Sequence, residues 1–321
     1  MELLTQLFEN LKETFGIKFL LSPLYVAGTV AIVYAIWLWR GKPDRFLRFM
    51  LPKELYVHPS TFVDIKIALF NTLFTASGVF SALVVTPGVT IFILDMLGGS
   101  SEPGETGLWH GILIAALLVL TQDFCRYWNH YMHHETRALW PFHAVHHSAE
   151  VLTPITFLRA HPLYTAIQTL LISVAIGLVQ GLVLYVLVGW IDAWVIVSAS
   201  LVFNLYVFFG GHLRHSHIWL SYGPVLERIL ISPAQHQIHH SSDPKHHDKN
   251  YGEIFAIWDW MFGTLYIPDG PEDLTFGIAD RQGVLIEQPY PTLKDALIGP
   301  FVEVWEDTLK GTSRDPEGAA E

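Results

Sequence analysis

His143-Ala144-Val145-His146-His147 and, 93 residues later, His236-Gln237-Ile238-His239-His240 are two copies of one pattern, His-x-x-His-His. A further pair, His130 and His134, lies just before the first copy. On a helix, positions i, i+3 and i+4 share one face, so each set points two or three imidazoles at a common spot. That is how a protein builds a metal cage. With 17 His in 321 residues, on the order of 0.05 copies of such a three-His pattern are expected by chance. Two copies so far apart must be brought to one place, and that requirement shapes the expected fold.

The rest of the chain is apolar. Hydrophobic residues make up 51% and charged residues only 15%, with mean hydropathy +0.35, too apolar for an ordinary soluble domain of this length. Residues 19–39 and 67–94 carry no formal charge, and either run can cross a hydrocarbon core of roughly 30 Å at ~1.5 Å per residue. A third run, 108–122, is shorter and is expected to continue as a helix through Asp123, Phe124 and Tyr127. Runs 163–188 and 191–209 follow, parted by a short turn near Gly189 and Asp192. The early charges Glu2, Glu9, Lys12, Glu13 and Lys18, and the full-span length of the first run, argue against a cleaved secretory leader.

Charge sets the expected orientation. Arg40, Lys42, Arg45, Arg48, Lys53 and Lys66 follow the first run and mark a cytoplasmic segment, whereas 95–107 has acids and no Lys or Arg. Runs 163–188 and 191–209 would return the chain to its starting side, so both His boxes emerge on one membrane face. The reading is an all-α, polytopic membrane helical bundle of about 4–5 spans. A cytoplasmic His-rich helical cap holds a dimetal site. Residues 1–107 are N-terminal spans with an amphipathic connector, 108–268 a catalytic domain and 269–321 a soluble C-terminal extension. Net charge is −11, concentrated towards the acidic C-terminus. No basic patch with interleaved aromatics suggests nucleic acid.

Local signals favour helices under the boxes. Ser232 suits an N-cap with Pro233 as first helical residue, Ser241-Ser242-Asp243-Pro244 would end that helix, and Pro141 can open the one carrying His143. The single cysteine, Cys125, excludes an intrachain disulfide and a Cys-based zinc site. Imidazole suits Zn, Cu, Fe and Ni, and the box histidines together with one or two from the 210–217 segment exceed what one ion needs, so two ions are the natural count. A zinc-protease motif is absent, because His134-Glu135-Thr136-Arg137-Ala138 lacks the second His. Asp123 is placed to support a ligand or to satisfy Arg126, and Asp259 has a similar choice.

The run Asp123-Phe124-Cys125-Arg126-Tyr127-Trp128-Asn129-His130, then His134, Leu139-Trp140, His143 and His146-His147-Ser148, resembles the fatty acid hydroxylase/sterol desaturase superfamily. So does Ser232-Pro233 with His236 and His239-His240, then Asn250-Tyr251-Gly252, Trp258-Asp259 and Phe262-Gly263-Thr264. The resemblance implies a non-haem di-iron centre, with O2 as co-substrate and two external electrons. Oxygen would enter, or hydrogen leave, a lipid C–H bond. Carried over by position, the implied ligands are His130, His134, His143, His146, His147, His236, His239 and His240, with His215 as a ninth. His212 and His217 compete with His215.

The remaining histidines read as bystanders: His133 behind the ligands or at the surface, His161 at a helix entrance, His246 and His247 beyond the helix stop, His58 and His110 alone. The expected partners are a membrane lipid (fatty acyl, sterol or ether lipid) and a separate electron-donor protein. Ether-lipid or carotenoid monooxygenation by the same centre is the alternative within the class. A His-rich membrane metal carrier or sensor is the alternative outside it. A transporter, however, usually binds near the bilayer midplane, and these boxes lie outside the spans.

Overall fold

The computed structural model describes residues 23–76, 82–98, 107–188 and 211–309. Regular structure within them is helical, and three isolated bridges, such as that between Leu230 and Phe255, stand in place of any strand. The principal helices are α1 (Pro23–Trp39), α2 (Pro59–Ala76), α3 (Ala82–Leu97), α4 (Leu108–Glu135), α5 (Trp140–His147), α6 (Pro162–Val183), α7 (Pro233–His239), α8 (Ile257–Phe262) and α9 (Leu293–Leu309). Short 3-10 turns at Pro154–Leu158 and Gly211–His215 join them at the site.

Two helical stretches, Leu108–Glu135 and Pro162–Val186, are long and apolar enough to cross a membrane. The 15-residue run starting at Leu108 does continue as a helix, and for a physical reason. Its buried stripe starts as Ile114, Ala115 and Leu118, packed on Val183 of α6, and continues as Asp123, Tyr127, His130 and His134. The same helical face is thus greasy at one end and chelating at the other. The uncharged run 67–94 is divided between α2 and α3, and run 191–209 lies outside the described residues, as do 1–22.

Helices α3 and α6 touch backbone to backbone. A Cβ on Gly177 would stand 2.7 Å from Val89 Cβ, and one on Gly181 2.7 Å from Ile93 Cβ. Thr90 Oγ1 donates to Gly177 O at 3.2 Å and Thr86 Oγ1 to Ser173 O at 3.2 Å. Small residues every fourth position with hydroxyls facing them are how helices associate where lipid removes the hydrophobic drive. A second cluster joins Val63 and Ile67 of α2 to Ala144 and Val145 of α5 and to Ile278, Tyr290 and Ala296. It clamps the first His box between an N-terminal helix and the C-terminal one.

Candidate metal centre

The capping that the sequence announced forms. Ser232 Oγ accepts from Gln235 N (3.2 Å), Gln235 Oε1 accepts from Ser232 N (3.0 Å), and α7 stops at His239. Pro141 sits in the first turn of α5. These short helices present their boxes to the end of α4, and the Gly211–His215 turn closes the fourth side.

All nine histidines singled out by position come together, in two groups. His130, His134, His143, His147 and His239 form one, and His146, His215, His236 and His240 the other, with the donor nitrogens of each group within 4.8 Å of one another. Each box is split between the groups. The i, i+4 pairs His143/His147 and His236/His240 each face one centre, while His146 and His239, a residue's rotation away, reach across to the other. His147 and His240 stack at 4.5 Å between ring centroids, so the two groups share a wall.

The nitrogens are spaced as ligands of an ion. His215 Nε2 stands 3.1 Å from His146 Nε2, 3.1 Å from His240 Nε2 and 3.0 Å from His236 Nε2. His147 Nε2 stands 3.2 Å from His143 Nε2 and 3.1 Å from His239 Nε2. One N–H can serve only one neighbour, so three such contacts at one nitrogen cannot all be hydrogen bonds. Nitrogens about 2.1 Å from one ion and at right angles would stand about 3.0 Å apart.

Backbone carbonyls fix the tautomers. His130 Nδ1 donates to Tyr251 O (2.8 Å), His239 Nδ1 to Lys249 O (2.8 Å) and His146 Nδ1 to Arg159 O (3.1 Å). A carbonyl only accepts, so in these neutral rings the proton is on Nδ1 and Nε2 turns a bare lone pair inward. His130 Nε2 and His134 Nε2 are buried with no protein hydrogen-bond partner. Burial also keeps the box rings neutral. It lowers His146 to about 3 and holds His143, His147, His215, His236, His239 and His240 well below the ordinary imidazole range, with neighbouring imidazoles or cations adding to it. Converging neutral lone pairs away from water are stable only around a cation, so the residues fit two metal ions.

The supports of this cage were mostly invisible in the sequence. Arg159, fully buried, donates from Nε to Val145 O (2.7 Å), from Nη1 to Asp64 Oδ1 (2.7 Å) and from Nη2 to Ser148 Oγ (2.7 Å). Its own carbonyl holds His146. Asn250 takes the left-handed backbone region (φ 60°) and is pinned by Nδ2 to Gln235 O (3.1 Å) and by Tyr266 N to its Oδ1 (2.8 Å). That turn aims the carbonyls on either side of it, Lys249 O and Tyr251 O, at two rings of one group.

Asp259 accepts from Tyr251 N and Gly252 N, each at 2.8 Å, and a Cβ on Gly252 would stand 2.7 Å from Asp259 Oδ2. The Asn250-Tyr251-Gly252 signal therefore marks a carbonyl-aiming loop. The carboxylate of Asp123 is taken up by backbone and indole N–H groups. It accepts from Ile254 N, Phe255 N and Trp258 Nε1, each at 3.0 Å, and docks that loop on α4.

Other histidines stay outside both groups. His161 caps α6, accepting from Leu163 N (3.0 Å), and its Nε2 donates to Leu297 O (3.2 Å). His217 Nε2 donates to Phe49 O (2.7 Å). His133 is not at the surface but fully buried, donating from Nδ1 to Asn129 O (2.7 Å). His246 is likewise buried, beside Glu272 at 3.1 Å. The side chain of His212 lies outside the described residues.

A cavity of about 360 Å3 opens onto the centre between α2 and α6. Rings of both groups, among them His130, His143, His146 and His215, form its floor, and Ala68, Phe74, Phe157 and Tyr164 form much of its apolar wall. Tyr164 stacks on His143 with ring centroids 4.7 Å apart. Beside the floor, Glu253 bridges Arg126 (2.8 Å) and Arg214 (3.0 Å). Burial alone would raise the Glu253 carboxyl, yet the two guanidiniums hold it down at about 2.

Residues 115–264 match the family model described as fatty acid hydroxylase. An ornithine lipid hydroxylase of Rhizobium tropici is 30% identical over 185 residues, 57% of this chain and 51% of that protein. Over residues 115–264, a little under half of its length, the chain is similar to the fatty acid hydroxylase family. An alkylglycerol monooxygenase of Caenorhabditis elegans is 30% identical over 200 residues, 61% of this chain and 34% of that protein. A Δ7-sterol 5(6)-desaturase of Gibberella zeae is 25% identical over 230 residues, 69% of this chain and 57% of that protein. The chain therefore spans about half or less of the length of the first two relatives. No solved structure matches it. The fatty acid hydroxylase match begins inside α4 and ends just after α8, so it encloses every ring of both groups.

Proposed function

We propose that the nine imidazoles hold two iron ions and that the protein is a membrane-bound oxygenase. It hydroxylates or desaturates a lipid C–H bond with O2 and two electrons from a separate donor protein. The observation that carries this reading is the pair of lone-pair clusters forming one wall of an apolar cavity. Iron is favoured over zinc because zinc has no redox chemistry, whereas the relatives are named for oxidising ornithine lipid, alkylglycerol or sterol. Bound there, the irons supply dioxygen activation.

The chain's own residues do the positioning. Tyr251, Lys249 and Arg159 hold ring protons outward so that Nε2 stays a ligand. The cavity wall orients a lipid chain over the floor and keeps water from the reacting carbon. Helices α4 and α6 cross the bilayer, the chain is multi-pass, and the cations from Arg40 to Lys66 put the His boxes on the cytoplasmic face. Residues 1–107 are N-terminal membrane spans and connector, 108–268 the catalytic domain and 269–321 a C-terminal extension, of which α9 packs on α5.

The test is turnover by iron-loaded protein in vesicles of a mixed lipid extract supplied with a chemical reductant. Mass spectrometry should show one lipid class gaining one oxygen or losing two hydrogens, coupled to dioxygen consumption. His143→Ala and His239→Ala should abolish both. Iron-bound protein that consumes no dioxygen with any lipid would overturn the oxygenase and favour the metal carrier.

A further inference from the structure

Helix α9 turns an apolar stripe away from the protein. Two of its acids are engaged by the protein, Glu303 accepting from Tyr290 Oη (2.9 Å) and Asp307 pairing with Arg137 (3.4 Å), while Glu306 is exposed. Its exposed apolar side chains are Ile298, Phe301, Val302 and Trp305, each about half exposed or more, flanked by the exposed Lys294 and Glu306. Positions 298, 301, 302 and 305 recur at i, i+3, i+4 and i+7 and make one continuous stripe. A helix lying in solvent would face these four towards the protein, so a continuous apolar stripe turned outward implies an apolar medium outside it.

The position of α9 says which medium. Leu297 O accepts from His161 Nε2, and Phe301 packs on His161 at 5.4 Å and on Phe142 at 5.0 Å. His161 is the N-cap of α6, a helix long and apolar enough to span a bilayer. The stripe is therefore anchored to the end of a spanning helix, at the level where a bilayer's hydrocarbon gives way to headgroups. A tryptophan and, at the start of the helix, an exposed Lys294 suit that level, the one by its amphipathic ring and the other by reaching to phosphate. Phe142 also lines the cavity over the histidines, so the stripe continues to the cavity's edge.

We infer that α9 is a monotopic membrane-interface helix whose Ile298, Phe301, Val302 and Trp305 insert into the lipid leaflet beside the cavity. The segment read from sequence as a soluble extension is instead partly a membrane surface element. This inference rests on the reading that α6 spans the membrane, and the experiment separates the two.

In full-length protein with Cys125→Ala, nitroxide labels are placed singly at Ile298→Cys, Val302→Cys and Trp305→Cys. Leu178→Cys on the exposed flank of α6 and Glu287→Cys in an exposed loop serve as references, with the protein in phosphatidylcholine nanodiscs. Collision with dioxygen, which prefers lipid, is compared with collision with a polar nickel chelate. The three α9 labels should give an oxygen-to-nickel ratio several times that at Glu287→Cys and should approach Leu178→Cys. If Leu178→Cys is lipid-like and the α9 labels match Glu287→Cys, the interface helix is wrong and the span stands. Labels shielded from both reagents and broadened by a neighbouring label would mean that a second copy covers the stripe, which also overturns the inference. If Leu178→Cys itself behaves as aqueous, the spanning reading falls and the inference with it.

Discussion

At the residue scale the centre depends on side chains that never touch a ligand nitrogen. Arg159 and Asp64 are both fully buried and paired at 2.7 Å, and removing one leaves the other charge uncompensated. Arg159→Met is expected to cost about 3–5 kcal/mol in denaturant unfolding, and Arg159→Met with Asp64→Leu to recover part of it. An equal loss in single and double variants would contradict the pair's role. The ring identities were legible because histidine is rare and its spacing on a helix is informative. Neither Arg159 nor Asp64 was legible as a support, because a buried ion pair joins positions with no sequence period. The burial of His133 and His246 was not legible for a related reason: neighbours from distant segments cover them.

At the element scale, caps and periods were readable and contacts between helices were not. Ser232, Pro233 and Pro141 announced their helices, since a cap is satisfied within four residues. The continuation of α4 through Asp123, Phe124 and Tyr127 was legible beside the short apolar run. The close approach of α3 to α6 depends on Gly177 and Gly181, and nothing local distinguishes them from Gly88, whose Cβ would meet nothing within 4 Å. Gly177→Leu is expected to force the helices apart at a cost of about 1–3 kcal/mol, lowering the thermal midpoint in detergent, while Gly88→Ala leaves it unchanged. Equal tolerance at both positions would mean that the two helices are not packed as described.

At the scale of the whole molecule, the fold gathers neutral imidazoles from four segments into one buried cluster, and pH should expose the cost. His146 has an ordinary value of 6.5 unfolded and about 3 when buried. Between these the unfolded chain binds a proton that the folded one refuses, so stability is fullest above 6.5 and falls as pH drops towards 3. Thermal unfolding followed from pH 7.5 to 5 should show a falling midpoint and loss of bound metal. A midpoint rising over that range would contradict neutral, inward-facing rings. The most direct test of the centre is the metal content of purified full-length protein, read as ions per chain by elemental analysis. Two irons per chain are expected, with about one retained in His215→Ala and in His134→Ala. A single ion in the unaltered protein, or a count that neither substitution changes, would contradict the two-site cage.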